Sequence, residues 1–446
     1  MATESHAPTV DDIIDQRPLS GFLVTTFALC GLVLLLDGFD TQAMGFLVPP
    51  IADELGIPLS AFGPVLSAGL FGLMIGAMIS GPIADRWGRK WAIVGSAFAF
   101  GCFSLATARA GSLGQLVTLR LLTGLGLGGA MPNVVSLASE YAPKRLQPIL
   151  VTLIFVGMGA GAVVASLVAG ALIPIWGWRS VFYVGGVLPM ALAVILIRAL
   201  PESVRFLTAR GGDAGRIAAI VRRIAPDRAD APLGAALPDR HTGAAIARLF
   251  SEGRTAGTLL LWLAFFMNLL ILYFILSWLP SLLRQAGMPV SAGITAVLAF
   301  SIGGIAGMTL QGPLMKALGV FPVIVGEFLA SVALMGLASA IFANFPLMMA
   351  VTVVLGVSVQ GAQAGLNVLA AMYYPTVIRS TGVGWALGVG RIGSIIGPII
   401  GGIMLSMRWT PQQIFMAGVI PALCAATAVV VSRQSQGSAS PFHPDV

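Results

Sequence analysis

The stretch Leu34-Leu35-Leu36-Asp37-Gly38-Phe39-Asp40-Thr41-Gln42 lies inside the first long apolar run of the chain, at about residues 21–48. A run that ended at Leu36 would fall short of the ~20 residues that a membrane helix needs, and it would leave the next apolar residues unexplained. The sequence therefore predicts a helix that carries both aspartates through the membrane. Asp37 and Asp40 are three residues apart, so they share one helix face.

Two acidic side chains in one membrane helix indicate a function. Ionised acids are costly in hydrocarbon, so such residues usually face a water-filled cavity and are functional. Two neighbouring carboxylates also resist double ionisation, so the pair can hold a proton. We interpret Asp37 and Asp40 as a proton-coupling pair. The alternative is a structural pair that hydrogen bonds or an arginine satisfy.

The composition of the chain excludes a soluble protein. Of the 446 residues, 57% are hydrophobic and 10% are charged, with a mean hydropathy of +0.93. A soluble chain of this length would need more charge to cover its surface. The three cysteines are scattered through apolar runs, so neither a disulfide framework nor a metal site is expected. The polar first 20 residues lack the basic region of a cleavable signal peptide.

Apolar runs between helix breakers predict an all-α polytopic membrane protein with twelve spans. The spans cover residues 21–48, 59–83, 91–109, 114–140, 147–173, 178–200, 256–283, 291–317, 320–342, 346–372, 378–406 and 411–432. A polar central loop, 201–255, divides the chain into an N-terminal half, 21–200, and a C-terminal half, 256–432. Residues 1–20 and 433–446 form the tails.

Basic residues are distributed unequally between the two sets of loops. The central loop, both tails and one set of short loops hold most of them, whereas the opposite loops hold Arg109, Arg179, Arg284 and Arg408. Cytoplasmic loops are enriched in Lys and Arg, so both termini are predicted to be cytoplasmic. The net charge of +7 thus reflects membrane topology and does not indicate a nucleic-acid partner.

The central loop contains one amphipathic segment. Isoleucine and valine repeat at helical spacing over residues 217–224, with Arg216, Arg222 and Arg223 between them. This pattern predicts a short helix on the inner membrane surface.

The two halves resemble each other in sequence. The pattern Gly72-xxx-Gly76-xxx-Ser80-Gly81-Pro82, followed by Gly88, recurs as Gly303-xxx-Gly307-xxx-Gln311-Gly312-Pro313, followed by Gly319. Repeated six-helix halves around a central cavity are typical of transporters, in which one half rocks against the other.

The loop between the second and third spans is short and charged. It reads Gly81-Pro82-Ile83-Ala84-Asp85-Arg86-Trp87-Gly88-Arg89-Lys90. A turn this short needs glycine, and its charges can lock neighbouring helix ends together. We predict a gating role for Gly81, Asp85, Arg86, Gly88, Arg89 and Lys90, and for Glu140, which is expected to pair with Arg86 or Arg89. The equivalent loop, 312–319, retains only Lys316, which argues against a second lock.

Enzyme motifs are absent from the sequence. Residues 124–129 and 388–393 fit a dinucleotide-binding glycine pattern, but both segments lie inside predicted membrane helices, where close helix packing explains them better. No Gly-x-Ser-x-Gly or His-Glu-xx-His motif occurs. We expect no enzyme activity and no cofactor, with the proton as co-substrate.

Further charges fall within the spans. Counting residues places Asp37 and Arg120 at comparable depths, which is compatible with an ion pair. Arg391 falls near the middle of span eleven, where its guanidinium could bind a carboxylate bidentately, although a structural partner is the alternative. Glu327 has no evident partner and is assigned no role.

These charges suggest a coupling hypothesis. Asp37 and Asp40 balance Arg120 and Arg391, so protonation of one aspartate leaves a single positive surplus, which suits a monovalent organic anion. Proton and anion would then favour each other's binding, as a symporter requires. The remaining site could be shaped by Asn268, Tyr273, Trp278, Gln360, Gln363 and Asn367, each equally compatible with helix packing.

With these residues assembled, the chain resembles the aromatic acid:proton symporter branch of the major facilitator superfamily over essentially its whole length. The resemblance rests on Asp37-Gly-Phe-Asp40, the complete loop at residues 81–90, Arg120 to Asn133, Ser139 to Arg145, Pro201-Glu202-Ser203, and Thr381 to Pro398 with Arg391.

The resemblance implies the import of benzoate, hydroxybenzoates, protocatechuate or related phenyl acids with protons by alternating access, across the bacterial cytoplasmic membrane. It also implies that Asp37 and Asp40 are essential and that Arg120, Glu140 and Arg391 contribute. We further expect a monomer.

Two other classes stay open at this point. The first is a proton-coupled exporter, or a carrier of another organic anion or a sugar. The exporter motif that residues 393–402 resemble belongs to span five in exporters and falls in span eleven here. The second is a transporter-like chemotaxis sensor, although the sequence has no signalling domain.

Overall fold

The computed structural model describes residues 10–15, 19–209, 214–225, 246–251, 253–342, 344–375 and 378–437, and they are predominantly helical. Twelve helices or helix pairs in this part of the chain are long and apolar enough to cross a membrane. The helices are α1 (Val10–Asp15), α2 (Gly21–Leu55), α3 (Gly63–Trp87), α4 (Arg89–Thr107), α5 (Leu113–Tyr141), α6 (Gln147–Trp176), α7 (Arg179–Ala199), α8 (Val204–Ala209), α9 (Ala214–Ile224), α10 (Thr255–Gln285), α11 (Val290–Leu318), α12 (Val320–Ile341), α13 (Phe345–Tyr373), α14 (Arg379–Ser406), α15 (Pro411–Ala417) and α16 (Val419–Gly437).

The all-α fold class and the twelve predicted spans are confirmed, with two differences. α2 continues to Leu55 through Pro49 and Pro50 and ends at Gly56, which has a φ of 64°. The prediction ended this span at residue 48 because proline usually breaks a helix. The last span is two consecutive helices, α15 and α16, that meet at Gly418.

The two halves repeat the same packing. In the N-terminal half α2 packs on α6, and α5 packs on α3 and α4; in the C-terminal half α10 packs on α14, and α13 packs on α11 and α12. The repeated glycines make this packing close, since a Cβ at Gly72 would meet the Leu121 carbonyl and one at Gly303 would meet the Val353 carbonyl. The sequence repeat is therefore also a structural repeat.

The two ends of the bundle differ. We call the end that carries the loop 81–90, α8 and α9 the basic face, and the end that carries Asp53 and Arg284 the far face. α9 packs on the N-terminal half at the basic face, where Val221 and Ile224 are buried. The predicted amphipathic helix therefore exists, but its apolar side packs on protein.

Contacts between the halves are concentrated towards the far face. Ser67 Oγ donates a hydrogen bond to the Ile395 carbonyl at 2.7 Å, and Arg284 Nη2 lies 3.1 Å from Asp53 Oδ2. A Cβ at Gly45 would meet the Leu276 carbonyl across the same interface. The bundle is therefore closed at the far face.

Candidate functional site

α2 places both aspartates inside the bundle. Asp37 is 1% exposed and Asp40 is 3% exposed. Gly38, between them, packs so closely on α6 that a Cβ would overlap the Met158 backbone. The close approach of α2 and α6 thus holds the two carboxyl groups in the protein interior, as predicted from their cost in hydrocarbon.

Asp40 forms a bidentate ion pair with Arg120. Arg120 Nη1 donates to Asp40 Oδ1 at 2.9 Å and Nη2 donates to Oδ2 at 2.6 Å, and both residues are buried. The predicted Asp37–Arg120 pair is therefore wrong. α2 has 35 residues, about 52 Å of helix, so counting from its ends misjudges which aspartate lies level with Arg120.

Asp37 is less completely paired than Asp40. Its Oδ1 accepts a hydrogen bond from Thr41 Oγ1 at 3.2 Å, whereas its buried Oδ2 has no hydrogen-bond partner within the described ranges. The positive charge of Arg391 acts on this carboxyl across the interface between the halves. Asp37 is thus the aspartate with an oxygen left for a proton.

Arg391 projects from α14 towards the N-terminal half. Its Nη1 donates to the Tyr273 hydroxyl at 3.1 Å, and its Nη2 lies 3.7 Å from Met131 Sδ. Among the residues that the structure describes, no carboxylate lies within ion-pair distance of Arg391. Its partners are neutral and the side chain is only partly buried, so the guanidinium can still bind an anion.

A narrow cavity between the halves reaches Asp40, Arg120 and Tyr273, whereas Asp37 and Arg391 are not among its lining residues. It is lined by Asp40, Thr41, Met44, Leu66, Gly69, Leu70, Leu73, Arg120, Leu127, Tyr273, Leu276 and Ser277. The polar groups lie beside an otherwise apolar wall, and the volume of about 20 Å³ holds about one water molecule, so a larger ligand requires the halves to separate here.

The other predicted substrate residues lie in or near helix contacts. Trp278 is fully buried and its Nε1 donates to the Pro398 carbonyl at 2.9 Å. Asn268 donates to Gln363 Oε1 at 2.9 Å, and Gln360 donates to the Phe300 carbonyl at 3.4 Å. These contacts favour helix packing over ligand binding. Asn367 is exposed on α13.

Charged groups also cluster at the basic face. Arg89 lies 3.3 Å from Asp85 and 3.8 Å from Glu140, and Glu140 accepts a hydrogen bond from Ser203 Oγ. Glu140 therefore pairs with Arg89, one of its two expected partners. This cluster joins α3, α4, α5 and the chain segment after α7.

Glu202 belongs to the same cluster, and the sequence analysis gave it no role. Its Oε1 accepts hydrogen bonds from the Lys90 and Ser203 backbone amides at 3.1 and 2.9 Å. Gly88 has a φ of 97°, and a Cβ there would overlap the Glu202 carboxylate. Its place in Pro201-Glu202-Ser203, directly after a predicted span, was the only available signal.

Comparison with known proteins agrees with this architecture. The model of the Major Facilitator Superfamily matches residues 30–339. The chain belongs to this superfamily. The 4-hydroxybenzoate transporter PcaK of Pseudomonas aeruginosa is 40% identical over 431 residues, which cover 95% of each chain. The gallate transporter of Pseudomonas putida is 39% identical over 434 residues, 97% of this chain and 96% of that protein.

A solved structure of the same fold supports the assignment. The crystal structure of D-xylose-proton symporter matches with a TM-score of 0.72 at 17% identity, over 92% of this chain and 97% of that one. Membership of the superfamily and the similar transporters named above identify the protein as a multi-pass membrane transporter and not an enzyme.

The C-terminal half also contains a partly buried carboxyl group, that of Glu327. Gln311 Nε2 donates to Glu327 Oε2 at 3.2 Å, next to Gly361 on α13. Glu327, for which the sequence showed no partner, therefore has one. This contact joins α11 to α12 and contains one ionisable side chain, Glu327. The corresponding end of the N-terminal half contains several ionisable side chains, among them Asp85, Arg89 and Glu140.

Proposed function

We propose that this protein imports a small aromatic carboxylate together with a proton by alternating access. The observation that carries the proposal is the unequal pairing of the four central charges. Asp40 and Arg120 satisfy each other, whereas Arg391 has only neutral partners and Asp37 has one unpaired oxygen. The names of the similar transporters, for 4-hydroxybenzoate and gallate, support an aromatic carboxylate as the substrate.

We assign the basic face to the cytoplasm, since Lys and Arg are enriched in cytoplasmic loops. Both termini would then be cytoplasmic, in the inner membrane of a bacterium. Because the halves are in contact towards the far face, the described conformation would be closed to the outside. Import would require the Ser67–Ile395 and Asp53–Arg284 contacts to break once in each cycle. The gating set 81–90 with Glu140 would stabilise one of the two conformations at the basic face.

Coupling follows from electrostatics. When Asp37 is ionised, its charge opposes the entry of an anion near Arg391, and burial makes this repulsion costly. When Asp37 is protonated, the Arg391 guanidinium can take the substrate carboxylate bidentately. By linkage, the anion strengthens proton binding by the same factor as the proton strengthens anion binding. The apolar wall, including Leu70 and Leu276, would contact the aromatic ring.

The decisive experiment measures the uptake of radiolabelled benzoate, 4-hydroxybenzoate, protocatechuate, a dicarboxylate and glucose into vesicles with an imposed inward proton gradient. We expect an aromatic monoanion to accumulate and the accumulation to collapse with a protonophore. Efflux driven by the same gradient would favour the exporter, and binding without accumulation would favour the sensor.

Two variants separate coupling from binding. Asp37→Asn mimics the protonated acid, so we expect substrate exchange between equal concentrations to persist while proton-driven accumulation is lost. Arg391→Ala should lose both activities.

The pH dependence has a definite sign. Because Asp37 must be protonated when the anion binds, substrate affinity should rise as the pH falls through its titration, by up to about tenfold per pH unit for one coupled proton. In Asp37→Asn this dependence should be absent. Proton-driven accumulation by Asp37→Asn at wild-type levels would contradict the assignment.

A further inference from the structure

A second cavity lies at the basic face, away from the central site. It is enclosed by the start of α2, the start of α4, the end of α7 and one side of α9. Its polar lining includes Lys90, Arg198, Glu202, Arg216 and Arg223. Lys90 belongs to the gating set, but the coupling mechanism proposed above assigns no role to the cavity itself.

This cavity concentrates positive charge. Among the residues that the structure describes, four cationic side chains line it and Glu202 is the one acid, so their formal sum is +3. Glu202 already accepts hydrogen bonds from the Lys90 and Ser203 amides. The Lys90 ammonium lies in the field of the Glu202 carboxylate and, more weakly, in that of the Arg216 and Arg223 guanidinium groups. Like charges gathered in this way repel one another, and a bound anion would relieve the repulsion.

The cavity is open on the side where two membrane spans end. A neighbouring groove continues it along Gly21 and Thr25 of α2 and Arg198 of α7, at the ends of two membrane spans. Trp87 and Trp91 at its edge are 61% and 53% exposed, and tryptophan is enriched at the membrane–water interface. About one turn deeper, Val24 and Val194 are exposed apolar residues that acyl chains could contact.

α9 is held so that two of its three arginines, Arg216 and Arg223, face this cavity. Val221 and Ile224 anchor the helix in the core of the N-terminal half. The Arg223 guanidinium lies 5.7 Å from the Phe22 ring centroid, within cation–π range. The cationic wall is therefore built on an ordered helix and not on a mobile tail.

We propose that this cavity binds the headgroup of an anionic phospholipid from the leaflet at the basic face. Arginine binds phosphate oxygens bidentately, and basic pockets between membrane helices are suited to anionic headgroups. The groove beside α2 and α7 would receive the acyl chains. A zwitterionic lipid would bring its own cation and would leave the excess charge of the cavity unneutralised.

The test titrates the purified full-length protein in detergent micelles with dioleoyl phosphatidylglycerol and measures the lipid-bound fraction by native mass spectrometry. We expect Arg223→Gln to weaken binding about fivefold, and Arg216→Gln with Arg223→Gln about 25-fold, from the attraction of one basic residue to an anionic lipid. Arg222→Gln is the matched control, since Arg222 is exposed on the same helix and does not line the cavity. It should bind within about twofold of the wild type.

Three results would overturn the proposal. Arg222→Gln could weaken binding as much as Arg223→Gln, which would indicate a diffuse surface charge. Dioleoyl phosphatidylcholine could bind the wild-type protein equally well. Inorganic phosphate could displace the lipid at equal concentration, which would indicate a site for soluble anions. The two lipids are compared on the unaltered protein, so this comparison does not depend on the folding of any variant.

Discussion

The two halves of the molecule share one packing scheme but not one chemistry. Gly157 and Gly161 of α6 pack on the Gly31 and Leu35 carbonyls of α2, as Gly393 and Gly397 of α14 pack on those of Phe266 and Leu270 in α10. In this register Asp37 corresponds to Leu272, Asp40 to Ile275 and Arg391 to Phe155. The same reasoning on α5 and α13 pairs Arg120 with Thr352.

Each central charge therefore has an uncharged counterpart in the other half. The N-terminal half keeps both acids and one arginine, so two of its three charges neutralise each other. The C-terminal half contributes one arginine against a neutral tyrosine. The repeated helix packing thus gives two similar halves that can move against each other. The central charged residues, which are not repeated, form the candidate site.

The largest difference should appear when each arginine is removed. Arg120→Leu leaves the Asp40 carboxylate buried and unpaired, so the free energy of unfolding should fall by about 3–5 kcal/mol. Arg391→Leu removes a direct hydrogen bond only from a tyrosine hydroxyl, and its charge acts on Asp37 without direct contact, so stability should change by about 1 kcal/mol while substrate binding is lost. Denaturant unfolding of the purified proteins measures the first effect, and equilibrium substrate binding measures the second.

The control restores charge balance. Asp40→Leu combined with Arg120→Leu should regain most of the stability, because no buried charge remains unpaired. If Arg120→Leu and Arg391→Leu lowered the free energy of unfolding equally, the two arginines would have the same structural role, and the comparison would fail.

The two loop glycines provide an intermediate effect. Gly88 and Gly319 have φ of 97° and 88° with ψ of 157°, a conformation that is costly for other residues by about 1–3 kcal/mol. Gly88→Ala must also displace the Glu202 carboxylate, whereas the nearest atom to a Cβ at Gly319 is Pro322 Cδ at 3.6 Å. Gly88→Ala should therefore lower the thermal midpoint and uptake more than Gly319→Ala; the reverse order would show that Glu202 does not constrain this loop.

The smallest effect concerns two partly buried acids, Glu140 and Glu327. Glu140→Gln loses the charge that interacts with Arg89, so initial uptake rates should fall roughly tenfold, as expected for a hydrogen bond to a charged group. Glu327→Gln keeps a carbonyl that can accept from Gln311, so uptake should stay within about twofold of the wild type. A Glu327→Gln variant that is as defective as Glu140→Gln would assign the C-terminal half a charge requirement of its own.

The fold could be predicted from the sequence because membrane helices carry a strong local signal. Length, hydropathy and the glycine repeat sufficed for the twelve spans and the two halves. Asp37, Asp40, Arg120 and Arg391 stood out as charges in apolar runs, where they are expensive.

Pairing could not be predicted in the same way. Whether Asp37 or Asp40 meets Arg120 depends on how far α2 extends, and α2 continues through two prolines. Glu202 contacts Lys90 across 112 residues of sequence, and Gln311 meets Glu327 only because α11 and α12 pack together. Trp278 was predicted to contact the substrate, but its indole N–H donates to the Pro398 carbonyl. The sequence alone does not show whether an indole N–H is already hydrogen-bonded within the protein.

The closure at the far face has a consequence for the populations of the two conformations. The Asp53–Arg284 pair is largely exposed, and such pairs contribute about 0–1 kcal/mol. The Ser67–Ile395 hydrogen bond adds about 1 kcal/mol. Bonds of this strength favour the closed state by only a modest ratio, so a minor population open at the far face would exist before any ligand arrives. The contacts at the far face can then break by thermal motion. A bound substrate needs only to shift an equilibrium between two conformations of similar free energy.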